Sequence, residues 1–386
     1  MNTPMLSPEQ FAVFPWGWQP PHGWTPPDPA VLADVRACGF NLAGFISPDD
    51  LDVVSAAGMQ GIVLDHATHV GNAEAQLDEA EITRRVTELT KRVGNHPAVF
   101  GYHLRDEPGA DIFPGLGRWA AAYQQASPQH LPYINLFPNY ATPDQLKSAN
   151  YEEHLEAFVT TVHPRFISYD HYALLDDGSV RKSYFPNLEI VRATARRHNL
   201  PFWNIVLSNA HFNYAEPTPA GLRFQLYTTL AYGARGISYF TYFTPHTGNY
   251  RLGPIDQFGH KTPTWAMLRD VNWQLHRLGP TYVTLTNLHV IHHPHVPVGS
   301  AGLSTSRWLS ELTGGDLLAG EFADAQGQPF VLVVNKSLQR STWFGLKFKH
   351  PGAIHLINAY TGTSELWQGE HNWLAPGQGQ LLYLKN

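Results

Sequence analysis

The sequence predicts an α/β protein: a (β/α)8 TIM barrel followed by a C-terminal antiparallel β-sandwich. Three observations lead there. Residues 1–280 alternate short apolar runs with amphipathic, helix-like segments, the pattern of repeated βα units around a parallel sheet. Eight strand candidates over that length match the size of a closed barrel. Residues 298–386 change texture to short β-rich runs separated by Gly, Pro, Asn and Asp turns, as an all-β sandwich reads. A doubly wound open sheet would carry a Gly-rich phosphate loop after its first strand, and Trp16-Gly17-Trp18 is not one. The expected organisation is a barrel over 1–280, a linker over 281–297 and an accessory sandwich over 298–386.

Each element has its own signal. The first strand, 11–18, ends in Trp16-Gly17-Trp18 before a proline-rich stretch to Pro27. Strands follow over 40–46 and over 61–65, the latter ending in Asp65-His66. A helix over 75–93 carries Ile82, Val86, Leu89 and Val93 on one apolar stripe and leads to a fourth strand over 99–104. The fifth, 132–137, runs into Pro138-Asn139-Tyr140, and the sixth, 166–169, into Asp170-His171-Tyr172. The seventh, 202–207, ends in Ser208-Asn209-Ala210-His211, and the eighth spans 236–243 after a helix over 219–232. A closing helix over 263–278 places Trp265, Leu268, Val271 and Leu275 on one side. In the sandwich, 330–335, 342–348 and 380–384 read as strands. The joint holds His289, His292, His293 and His295, but their spacing is not that of a zinc site and its prolines suit a linker.

Composition narrows the function. Aromatic residues make up 12% of the chain, with 11 Trp, 17 Tyr and 20 Phe, which suits a groove that stacks flat rings. A formal net charge of -6 without a Lys/Arg cluster argues against a nucleic-acid partner. The single cysteine, Cys38, excludes an internal disulfide framework and reads as a small buried residue. No apolar run is long enough to span a membrane, and residues 1–10 show no signal-peptide pattern. A cytoplasmic protein is the expectation, and the oligomeric state is open.

The centre of the chain is Gly101-Tyr-His-Leu-Arg-Asp-Glu-Pro108, where a buried strand breaks into three charges. Because a strand packed on both faces cannot hold them, Arg105, Asp106 and Glu107 are expected past its end, on the rim where such folds house chemistry. The other strand ends bring Trp16, Trp18, Ser47, Asp65, His66, Asn135, Asn139, Asp170, His171, Tyr172, Asn204, Ser208, His211 and Tyr242 to the same mouth. Carboxyl groups for proton transfer, amides and imidazoles for hydroxyls, and tryptophans for stacking are what a sugar site needs. Ser208 with His211 lacks a Gly-x-Ser-x-Gly elbow, so a serine hydrolase is disfavoured. Asp65 with His66 and His69 resembles a metal pair but shows no evident third ligand.

Asp106-Glu107-Pro108 resembles the Asn-Glu-Pro signature of the large clan of retaining (β/α)8 glycoside hydrolases, β-galactosidase-like members in particular. The following sandwich is similar to their accessory domains, and 230–242 and 256–263 are similar to stretches around their last strand. The resemblance implies that Glu107 is the acid/base and that Asp106 takes the place of the Asn contacting the sugar 2-hydroxyl. The chain departs from the clan at the seventh strand, where 205–214 contains no acid. Asp170 at the sixth strand end is the preferred second carboxyl, with Glu216 as the alternative. The expectation is a glycosidase acting on an oligosaccharide or glycoside without metal or cofactor, with Glu107 and Asp170 catalytic. Substrate-binding roles fall to Trp16, Trp18, Asp65, His66, Arg105, Asp106, Asn135, His171, Tyr172, Asn204, Ser208, His211 and Tyr242. The rivals are a non-catalytic carbohydrate-binding protein on a degenerate barrel and a metal-dependent hydrolase built on Asp65/His66.

Overall fold

The computed structural model describes residues 5–16 and 28–385. Eight parallel strands form a near-closed barrel: β1 Ala12–Trp16, β2 Leu42–Ile46, β3 Gln60–Val63, β4 Val99–Asp106, β5 Leu131–Leu136, β6 Ile167–Asp170, β7 Phe202–Leu207 and β8 Gly236–Phe240. Helices α1 Pro29–Ala37, α2 Leu51–Ala56, α3 Glu79–Val93, α4 Phe113–Ala126, α5 Pro143–Leu146, α6 Tyr151–Val162, α7 Tyr184–Arg197, α8 Pro219–Ala231 and α9 Pro263–Tyr282 follow the strands in turn. β1 pairs with β8, and the ladder then runs strand by strand down to β2. At the β1/β2 seam one side chain bridges the gap. Asn41 accepts from the Val13 N–H at 2.8 Å and donates to the Leu6 and Phe11 carbonyls, while its own N–H reaches Val13 O.

The barrel interior is packed, not open. Phe14, Trp16, Phe45, Phe100, Tyr133, Phe166 and Trp203 fill it in one cluster, as strand alternation sends every second side chain to the axis. α3 shows why the outer layer forms. Asp78 caps its first turn, and Ile82, Val86, Leu89 and Val93 are all buried against the barrel.

The second unit is built from β9 Thr286–His293, β10 Ala301–Gly302, β11 Leu309–Gly314, β12 Leu317–Ala323, β13 Pro329–Asn335, β14 Thr342–Phe348, β15 Ala353–Ile357, β16 Ser364–Leu366, β17 Trp373–Leu374 and β18 Gly379–Lys385. They form a seven-stranded and a three-stranded sheet, antiparallel but for the short β9/β10 pair. The stretch expected as a linker carries β9, which pairs along its length with β12. Pro294 and Pro297 fall after that strand, so they do not interrupt it. The barrel's apolar core continues through α8 into Leu318, Phe322, Phe330, Leu332 and Leu381 of the sandwich.

Candidate active site

β4 runs further than its charges suggest. Arg105 and Asp106 are its last two residues, paired with Ile134 and Asn135 of β5, and only Glu107 lies beyond the ladder. The strand accommodates them because its end projects past the packed interior to the rim, where Asp106 is open to solvent. A bulge between His103 and Arg105 shifts the register there. Glu107 then adopts a left-handed backbone, φ 45°, and its N–H donates to Asn135 O at 2.8 Å.

Asn135 is the hub of the site. It lies beside Asp106 in the β4/β5 register and beside Ser168 in the β5/β6 register, and Asp170 is two residues beyond Ser168 on the same face. Its Nδ2 donates to Asp106 Oδ1 and to Asp170 Oδ1, both at 3.0 Å. Its Oδ1 accepts from Ser168 Oγ at 3.1 Å, and that hydroxyl meets Tyr133 OH at 2.8 Å. Asn135 is thereby locked from below and presents both amide protons to carboxylates.

Three carboxyl groups share this rim, and each is harder to ionise than usual. Burial is the largest cause for Asp170, which is 4% exposed, and the Glu107 and Asp106 charges push its pKa further up. Glu107 is pushed up to about 7, first by burial and then by Asp106, while its hydrogen-bonding interaction with Asp170 pulls the other way. Asp106 is raised by desolvation from the protein around its inner side, offset by Asn135 and Arg105. The Glu107 charge thus acts on Asp170, and the Asp106 charge acts on both.

An aromatic wall stands beside the acids. Tyr172 lies close enough to Asp170, Asp106 and Glu107 for all three charges to act on its hydroxyl. Its ring contacts His211, Tyr214 and Phe240 at 5.5–6.0 Å between centroids. Arg181 donates to Tyr172 O and stacks over Tyr140 at 4.3 Å. Tyr140, Tyr214, Phe240 and Tyr250 were not expected at the site. They stand at strand ends or in the long loops after β5, β7 and β8, where no periodic pattern marks direction.

Several residues expected at the mouth face elsewhere. His171 follows Asp170 and points to the opposite face, where Nε2 meets Ser183 Oγ at 3.3 Å at the start of α7 and burial lowers its pKa to about 3. Asn204 likewise turns outward and donates to Thr229 of α8 at 2.9 Å. Tyr242 accepts from Trp265 Nε1 of α9, and Asn139 is bound to Asn187 and Ser183. Ser208 donates to Thr241 O and is fully buried. Trp16 is 9% exposed, its edge against Phe45 at 4.6 Å, so it forms the floor of the mouth and not an open stacking face. Trp18 lies outside the described residues.

Asp65 Oδ1 is occupied by the Ala67 N–H, and His66 is exposed. Among the described residues no three His, Cys, Asp or Glu side chains converge as metal ligands, at Asp65/His66 or along the histidines of β9. Arg105 makes no hydrogen bond or ion pair among the described residues, and its Nε is buried without a partner. Glu216 is bound to Arg251 at 2.7 Å and is half exposed in its loop.

No protein-family model matches the sequence, and no curated protein matches it either. Solved structures do. A glycoside hydrolase family 5 protein from Bacteroides vulgatus aligns over 97% of this chain and 88% of its own, at 15% identity and TM-score 0.59. A structure described as a glycoside hydrolase aligns over 97% of this chain and 93% of its own, at 13% identity and TM-score 0.59. The β-galactosidase from the psychrophilic Marinomonas ef1 aligns over 72% of this chain at 11% identity and TM-score 0.56, and the match spans 62% of that enzyme's length. The fold is that of TIM-barrel glycoside hydrolases. Among the described residues no helix is long and apolar enough to cross a membrane.

Proposed function

We propose that this protein hydrolyses a glycosidic bond with Glu107 as general acid/base and Asp170 as its partner carboxylate. The observation that carries the reading is the placing of two carboxyls at one rim, Glu107 just past β4 and Asp170 at the end of β6, with Asn135 donating to Asp170 at 3.0 Å and an aromatic wall beside them. Glu107, with its pKa raised to about 7, is suited to give a proton to the leaving oxygen and to take one back from water. The productive state needs the proton on Glu107 and the charge on Asp170, against the burial and neighbouring charges that push Asp170 up in the free site. The Asn135 amide donated to Asp170 favours that distribution, as does positive charge developing on the sugar ring. Asn135 is a positioning residue in this scheme, whereas Asp106, half open at the rim, is free to bind a hydroxyl.

On this reading the enzyme retains configuration, which needs the carboxyls about 5–5.5 Å apart and not the roughly 6.5–9.5 Å of inversion; that the Glu107 charge acts on Asp170 supports the shorter distance. Asp170 then attacks the anomeric carbon while Glu107 protonates the departing oxygen, and water assisted by Glu107 releases the sugar. The first anomer formed should match the substrate's, which NMR during early turnover checks. Inverted product would remove Asp170 from the nucleophile role.

The decisive experiment replaces Glu107. Glu107→Gln is isosteric and should fold, while turnover of a panel of aryl glycosides falls by roughly 10²–10⁴-fold. Glu216→Gln should leave turnover close to that of the unaltered protein. Unchanged hydrolysis in Glu107→Gln would sink the proposal. Oligosaccharide binding without hydrolysis by the unaltered protein would select the non-catalytic binding protein instead.

A further inference from the structure

Phe212 is in a conformation that its own chemistry disfavours and at a position the core does not use. Its backbone is left-handed, φ 46°, where a Cβ is crowded, and its ring is 67% exposed. Asn249, from the loop after β8, holds it there with both ends of one amide. The Phe212 N–H donates to Asn249 Oδ1 at 2.7 Å, and Asn249 Nδ2 donates to Phe212 O at 2.8 Å. The two loops are further joined by reciprocal backbone bonds between Ala210 and Arg251, each 2.9 Å. Strain that the surroundings over-determine, spent on presenting an aromatic ring to solvent, is a mark of a binding surface.

The ring is continuous with the catalytic mouth. Tyr172, beside the acids, contacts His211 at 6.0 Å; His211 stacks flat on Tyr250 at 4.6 Å and meets Phe212 edge-on at 4.9 Å. His211 is 3% exposed, so it serves as the rigid backing. Phe212 therefore stands two ring contacts from the residue next to the Glu107 and Asp170 carboxyls.

Resting on the glycosidase reading, we propose that Phe212 is a stacking platform for a sugar ring at least one unit removed from the cleaved bond. The substrate class is then an oligosaccharide or extended glycan, not a monosaccharide carrying a small leaving group. The flat apolar faces of pyranose rings suit a pre-positioned aromatic side chain, which loses little freedom on binding.

The test compares two substrates of whichever sugar is turned over: its nitrophenyl monoglycoside and its oligosaccharides of two to five units. Phe212→Ala should lower kcat/KM on the longer oligosaccharides about tenfold and leave the monoglycoside unchanged, and Phe212→Trp should restore it. Asn249→Ala, which keeps the ring but releases its backbone, should show the same selective loss in smaller degree. An equal fall on both substrates would place Phe212 at the leaving group and overturn the proposal, as would no change on either. If the unaltered protein hydrolyses nothing, the glycosidase reading fails separately. Calorimetric titration with the same oligosaccharides then decides: weaker binding by Phe212→Ala upholds the platform, and unchanged or absent binding overturns it.

Discussion

Glu107 combines two costly states, a left-handed backbone and a carboxyl enclosed by protein beside two other acids. Raising its pKa from 4.5 to about 7 means that ionisation is harder in the fold than in the unfolded chain. Its contribution to stability is therefore fully present below about pH 4.5 and is lost as pH rises through about 7. Glu107→Gln should accordingly gain on the unaltered protein between those limits, by on the order of 1–3 kcal/mol, and level off above them. Urea unfolding across that pH range reads the difference, and a gap that stays flat would contradict it. If the proposed function holds, hydrolysis should decline above about pH 7 for the same reason, as the acid form of Glu107 is titrated away. That Glu107 and Asp170 stand at strand ends was legible in the sequence, because each follows an apolar run that ends abruptly in charge. The facing of His171 was not. Ending the sixth strand at residue 169 instead of 170 leaves its neighbours unassigned to a face, and a shift of one residue exchanges the two faces of a strand.

Asn41 does for the barrel what a strand pair does elsewhere. With β1 and β2 not joined in a ladder, its amide supplies one acceptor and two donors across the seam and is 7% exposed. Asn41→Ala would leave the Val13 N–H and the Leu6 and Phe11 carbonyls buried without these partners. The expected loss is about 2–4 kcal/mol, since an unmade buried bond costs about 1–3 kcal/mol and the three are clustered. Thermal unfolding checks this, and a shift within error of zero would mean that the seam closes by other contacts. The seam was invisible in the sequence: eight strands were readable from their apolar runs, but pairing between the first and second depends on register, which a run of Leu, Ala and Phe does not encode. The aromatic wall escaped for a related reason, because loop side chains such as Tyr214 and Tyr250 take their direction from tertiary contacts alone.

At the scale of the molecule, barrel and sandwich are less separable than a change of texture near residue 281 suggests. α8 is buried on nearly every side, with β12, β13 and β18 against it. Tyr232 OH meets His292 Nε2 at 3.0 Å, Asn287 Nδ2 donates to Ala231 O, and Arg223 Nε donates to Pro376 O at 2.9 Å. The approach is tight at Gly320 of β12, where an added Cβ would stand 2.1 Å from Ala231 O, a backbone atom that cannot swing aside. Only glycine lets the sheet and helix meet there. Since α8 is also bonded to the barrel at β7, through Gln225 to the Leu207 backbone and Asn204 to Thr229, separating the sheet from α8 should loosen the barrel too. Calorimetry of the intact chain should therefore show one unfolding transition. Gly320→Val should lower the whole of it by several degrees, as a loss of about 2–4 kcal/mol from overpacking does in a chain of this size. On the proposed function activity below the new midpoint should persist, because the contact lies between α8 and β12 and neither element carries Glu107, Asp170 or the Asn135 that donates to Asp170. Two separate transitions, with only one of them moved by the substitution, would show instead that the sandwich is an independent appendage.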